Sequence, residues 1–211
     1  MSNTTDFNYW IKECHELAVQ KGWWEPIGEC KIVEYSSRAC EKGVKSCVTR
    51  HLRSDRELFA LMHSEIAEAT ECVRNGEKPF WLRCPFALVK TECEKPKDVD
   101  PRECLTCVAR HEQCNPKPCG EAVELIDLCI RYFDYIGYKE RGFNRFYANA
   151  IYDELELHAD LHRMVAMLDT DLAVNTVITY FEKKGWNFEE TYKAKFEFNK
   201  SRPYRHGGKS A

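Results

Sequence analysis

Long apolar runs are missing from this 211-residue chain. A helix that spans a bilayer needs roughly 20 consecutive apolar residues, and no stretch here approaches that, so the sequence predicts no membrane partner. A surplus of positive charge is missing as well. The net charge is −3, and basic clusters outside the C-terminal segment are sparse, which argues against nucleic acid as a partner. The first residues, MSNTTDFNYW, lack the basic start and apolar stretch of a signal peptide, and the expectation is a cytoplasmic protein. Strand-like alternation and internal repeats do not stand out. None of the seven histidines has Glu three residues before it, so the Glu-x-x-His pattern of a di-iron bundle is absent.

What is present is helical periodicity. Hydrophobic residues make up 44% of the chain and charged residues 31%, enough for a core and a solvated surface. Residues 7–21 read as an amphipathic helix stopped by Gly22, and residues 23–50 as irregular. The segment SDRELFALMHSEIAEATECVRNG has a Ser54 or Asp55 cap, Arg74 in its last turn and Asn75-Gly76 as a stop. Further helices are predicted over 121–138, 144–167, 169–184 and 188–200. The fold class is all-α, a helical bundle. Residues 1–74 supply its first helices and 121–200 the remainder, with a polar, Gly-rich tail over 201–211.

Residues 75–120 break the pattern. They hold six of the eight prolines and six of the twelve cysteines. Without an export signal, closely spaced cysteines point to metal before disulfides. Cys104 and Cys107 have half of a zinc-knuckle spacing, and Cys114 and Cys119 offer a wider second half. His111, Cys93 and Cys84 are substitutes. Structural zinc in an irregular cysteine-rich insertion is the leading expectation, with disulfides or free thiols as the alternatives. Cys72 and Cys129 lie in helical text and read as small core residues.

Two acidic pairs carry the chemistry. Glu65 and Glu68 are three apart, as are Glu124 and Asp127, so each pair shares a helix face. On a wheel of about 100° per residue, Glu65 falls within the apolar stripe of Leu58, Leu61, Met62, Ile66, Ala69, Cys72 and Val73. Glu68 lies at its edge and Glu71 points away. A buried carboxylate needs a cation or a proton. The plain alternative is a partner Arg or Lys. The helix over 121–138 is apolar nearly all round, so Glu124, Asp127, Arg131 and Asp134 form one narrow stripe bordering either solvent or a cavity. Four carboxylates in one space predict a hard divalent ion, Mg2+ or Mn2+. Arg131 either meets an anionic ligand or neutralises Asp134. His158 and His162 share a helix face and form either a soft-metal pair or ordinary surface histidines.

The C-terminal segment gathers Lys195, Lys200, Arg202, Arg205, His206 and Lys209 around Asn199, Tyr204 and two glycines, a composition able to close over phosphates. HSEIAEA at 63–69, ELIDLCIRYFD at 124–134 and KFEFNKSRPYRHGGK at 195–209 together resemble the MazG-like, all-α nucleoside triphosphate pyrophosphohydrolase family. The motifs match its Glu-x-x-Glu helix, its Glu-x-x-Asp helix and its Lys-x-x-x-Asn-Lys-x-Arg-Pro segment, and cover about a quarter of the chain.

The resemblance implies Mg2+-dependent hydrolysis of a nucleoside triphosphate to monophosphate and pyrophosphate, in a homodimer or homotetramer. Glu65, Glu68, Glu124 and Asp127 would be the Mg2+ ligands, and Glu65 or Glu68 would take the proton of the attacking water. Lys195, Asn199, Lys200 and Arg202 would hold phosphate or sugar. Asn175 would read a base edge or, equally, serve as a buried hydrogen-bonded amide. The chain departs from the family in the long segment between its acidic motifs. The rival readings are a non-catalytic, zinc-containing helical interaction module and a hydrolase of another phosphorylated metabolite.

Overall fold

The structure is a computed structural model. It describes residues 6–25, 54–83, 116–148 and 153–204, together with the backbone of 31–34 and 45–48. Within them the protein is all-α, with six helices and two short ribbons. Helix α1 spans Phe7–Gln20, α2 Asp55–Arg74, α3 Glu121–Tyr138, α4 Glu154–Ala166, α5 Thr170–Lys184 and α6 Phe188–Ser201.

The starts follow local chemistry. Ser54 and Glu57 form a reciprocal capping box at α2, while Asp6, Asp153, Asp169 and Asn187 cap α1, α4, α5 and α6 through their side chains. Gly185, in a left-handed conformation, closes α5.

Helix α3 is the axis of the bundle. Its contacts reach α1, α2, α5 and α6, and Val123, Leu125, Ile126, Cys129, Tyr132, Phe133 and Ile136 have no exposure. Wrapping α3 in this way buries Glu121, Glu124 and Asp134 along with its apolar side chains. A stack of Trp10, Tyr192 and Phe196 joins α1 to α6, with ring centroids at 4.0 and 5.4 Å.

Three expectations need correction. No strand was expected, yet Lys31–Glu34 (β1) pairs antiparallel with Lys45–Val48 (β2), and Trp81–Arg83 (β3) with Lys117–Cys119 (β4). Strands of three or four residues are too short to show a period. The helix predicted from 144 begins instead at Glu154. Residues 144–148 are held out of helix by side chains of α5. The Asn175 oxygen accepts from the Phe146 N–H at 2.8 Å, its amide donates to the Asn144 carbonyl at 3.1 Å, and Thr179 accepts from the Ala148 N–H at 3.2 Å. The tail, predicted over 201–211 as too polar to pack, is anchored at its start. The Lys21 ammonium donates to the Lys200 carbonyl at 2.6 Å and to that of Arg202. The Tyr204 ring lies over Gly22, and its hydroxyl meets Glu25.

Ribbon β3–β4 joins the end of α2 to the start of α3, so the intervening segment leaves and re-enters the bundle at one place. Gly120 makes that return possible. Its φ of 108° and ψ of 166° are open to glycine alone. A Cβ there would stand against the carbonyls of Lys78 and Pro79. The Ala122 N–H donates to the Pro79 carbonyl at 2.9 Å, which fixes the N-terminus of the helix bearing the second acidic pair. Gly120→Ala is expected to lower the unfolding free energy by about 2 kcal/mol or more, as read by urea titration. A variant as stable as wild type would contradict this close approach.

Candidate metal centre

The first acidic pair lands as the helical wheel requires. Glu65 is 5% exposed, Glu68 is exposed at the rim, and Glu71 points away. Helix α3 brings Glu124, also 5% exposed, to face them. One carboxylate oxygen from each of Glu65, Glu68 and Glu124 lies within 4.8 Å of the others. The stripe on α3 therefore faces the interior and not bulk water.

Two cations share this space, Arg131 half-buried and Lys195 buried. The Arg131 Nε donates to Glu65 Oε1 at 3.1 Å. The Lys195 ammonium, from α6, lies 2.7 Å from Asp127 Oδ2 and 3.8 Å from Glu124 Oε2. Asp127 Oδ1 accepts from the Asn199 amide at 3.4 Å. Asp127, expected as a fourth ligand, thus stands outside the group of three, drawn towards α6 by a lysine reaching in from that helix.

Electrostatics follow this crowding. Burial first, then the charge of Asp127, pushes the Glu65 carboxyl up to about 7, against the pull of Arg131. Burial likewise raises Glu124, with Lys195 opposing. Burial works against the ammonium of Lys195, but Asp127 and Glu124 outweigh it and hold the group above its ordinary value. The cluster is anionic, partly buried and built of hard oxygen donors, which fits a divalent cation such as Mg2+ or Mn2+.

The remaining predicted residues fall into separate places. Arg131 holds Glu65 and not Asp134, whose Oδ1 accepts from Trp24 Nε1 at 2.8 Å and faces His15 Nδ1 at 2.9 Å. Asn199 and Arg202 line a small cavity beside Asp127, Arg131 and Asp134. Arg202 is half-buried, and burial lowers its pKa. No carboxylate comes within ion-pair distance of it among the described residues. Lys200 is exposed on the other side of α6 and pairs with Glu197 at 2.7 Å. Lys195 points inward, committed to acids where a phosphate holder was expected, because its position on α6 faces α3. Asn175 has no exposure and uses both ends of its amide on backbone and Arg145, so it organises the 144–148 loop and does not reach the carboxylates.

His158 is buried, with Nε2 at 3.2 Å from Glu121 Oε1 but poorly angled for a hydrogen bond. His162 instead meets His63, Nδ1 to Nδ1, at 2.9 Å. The buried Glu121, which also accepts from the Tyr180 hydroxyl at 3.3 Å, was not anticipated, since in sequence it looks like an ordinary first-turn acid. Of the predicted zinc ligands only Cys119 is described. It is buried, its thiol donates to the Lys117 carbonyl at 3.6 Å, and burial raises its pKa. Cys84, Cys93, Cys104, Cys107, His111, Cys114, Arg205, His206 and Lys209 lie outside the described residues.

A carboxyl whose folded pKa lies above its unfolded value favours folding most below the unfolded value. For Glu65 that value is 4.5, and the contribution is lost as pH rises through about 7. Arg131 limits the loss by pairing with the ionised form. In chelator, Arg131→Met is expected to cost about 3–5 kcal/mol at pH 8 and clearly less at pH 5, by denaturant titration at each pH. A penalty independent of pH would show that the pair does not govern Glu65. Comparison with protein-family models, with curated proteins and with solved structures returns no match.

Proposed function

We propose that the protein is a Mg2+- or Mn2+-dependent hydrolase that cleaves a nucleoside triphosphate to nucleoside monophosphate and pyrophosphate. The observation that carries this reading is the convergence of Glu65, Glu68 and Glu124 from two helices. Those three residues would hold the ion. When bound, it would offset phosphate charge and make a coordinated water more acidic.

The protein's own groups supply the rest. Glu65, buried beside Arg131, would accept the proton of the water, with Glu68 at the open rim as the other candidate. The water oxygen bonds to the α-phosphorus, and its proton passes to that carboxylate. The bond from the α-phosphorus to the bridging oxygen breaks, and pyrophosphate leaves with the electron pair. Arg202, half-buried and without a carboxylate partner among the described residues, would meet phosphate oxygens from the cavity it lines with Asp127, Arg131 and Asn199. The same reading takes the protein as a cytoplasmic homodimer or homotetramer and residues 75–120 as the seat of a structural zinc, on the strength of the motif resemblance and the cysteine spacing.

One observation favours a second reading. Arg131 and Lys195 already pair with Glu65 and Asp127, which is how a non-catalytic bundle would neutralise buried acids. The readings part on activity. With Mg2+ present, pyrophosphate should appear from at least one member of a ribo- and deoxyribonucleoside triphosphate panel, and EDTA should stop it. Glu65→Gln should cut turnover by about 100-fold or more while circular dichroism stays unchanged. No product from any triphosphate, or equal rates in the variant, would remove the catalytic reading. Turnover confined to nucleotide sugars or alarmones would move the substrate to another phosphorylated metabolite.

A further inference from the structure

Lys195 is the least expected charge in the molecule. Its side chain is 2% exposed, and a lysine is almost never fully buried unless paired. The pairing here is specific. The ammonium sits 2.7 Å from Asp127 and 3.8 Å from Glu124, two acids one turn apart on α3. The attraction of these two acids outweighs the desolvation of the ammonium and keeps the lysine charged. Asn199 takes the other oxygen of Asp127. Both oxygens of that carboxylate are therefore engaged by α6.

This arrangement bears on how many ions the centre accepts. Sites with two divalent ions hold them about 3.5–4 Å apart and need carboxylates to share between them. On α3, Glu124 and Asp127 would have to serve as the shared acids, and a buried ammonium lies 3.8 and 2.7 Å from them. Glu65, Glu68, Glu124 and Asp127 carry four negative charges. Arg131 and Lys195 return two positive ones. The three carboxylates that approach one another are those that Asp127 has left.

We infer that Lys195 is a built-in cation standing in for a second divalent ion, so that the centre takes a single ion on Glu65, Glu68 and Glu124. The inference rests on the metal-centre reading above and narrows it. Lys195 is a positioning residue, acting through Asp127, which it withholds from coordination.

The test counts ions. The intact protein is titrated with Mn2+ at pH 8, nucleotide absent, and free Mn2+ is read from its electron paramagnetic resonance signal. Wild type should bind one Mn2+ per chain. Lys195→Met should admit a second, and Lys195→Arg, which keeps the charge, should stay at one. Asp127→Asn should still bind one ion, its affinity changed by no more than about fivefold, the effect of one nearby charge in a wet site. Glu124→Gln should abolish measurable binding. Two ions per wild-type chain would overturn the inference while leaving a metal centre intact. No Mn2+ bound at all would overturn both. A folded Lys195→Met that still binds one ion would also sink the inference. If that variant fails to fold, Asp127→Asn decides, since a loss as large as that of Glu124→Gln would make Asp127 a ligand.

Discussion

The near-complete burial of α3 governs the rest of the structure. A helix packed against α1, α2, α5 and α6 has little surface to turn towards bulk water, yet this one carries Glu121, Glu124, Asp127, Arg131 and Asp134. Each of those charges must be met inside the bundle. The surrounding helices answer one by one. Helix α2 brings Glu65 to Arg131, α6 brings Lys195 to Asp127, α4 brings His158 to Glu121, and α1 brings His15 to Asp134. The polar interior is thus a set of interhelical pairs, each helping to fix how its helix docks.

The pairs are unequal, and that inequality singles out the candidate centre. Asp134 has two neutral or partly exposed partners, and Asp127 has a full cation. Glu65, Glu68 and Glu124 together meet Arg131 directly and Lys195 only at 3.8 Å. Burial is the first cause of the upward shifts of Glu65 and Glu124, and neighbouring acids add to it. One carboxylate oxygen from each of the three lies within 4.8 Å of the others, and like charges held that close repel. A hard cation relieves the crowding in a way that packing does not, which is the physical ground for the hydrolase proposal.

The segment from Gly76 to Gly120 is anchored close to this centre. It departs from the end of α2 and returns through Gly120 at the start of α3, where β3 and β4 pair. Both acidic helices therefore share one anchor. Cys119 and Cys72, buried at that anchor, are free thiols whose pKa values burial raises. On the opposite flank, Asn175 and Thr179 use their side chains to hold 144–148 in an extended path.

The sequence by itself determined the main helices, the cap of α2 and the burial of Glu65, because these depend on neighbours three or four residues away. Ser54 with Glu57, the 100° advance that sets Glu65 inward and Glu68 at the rim, and the all-round apolar text of 121–138 are local facts legible in one dimension. Only the tertiary structure decided the partners. Arg131 chose Glu65 over Asp134, Lys195 turned from a phosphate holder into an internal ion pair, and Asn175 became a brace for a loop. Those outcomes depend on which helix lies opposite and at what height. The energy of a buried charge is set by the nearest opposite charge in space, whatever its distance along the chain.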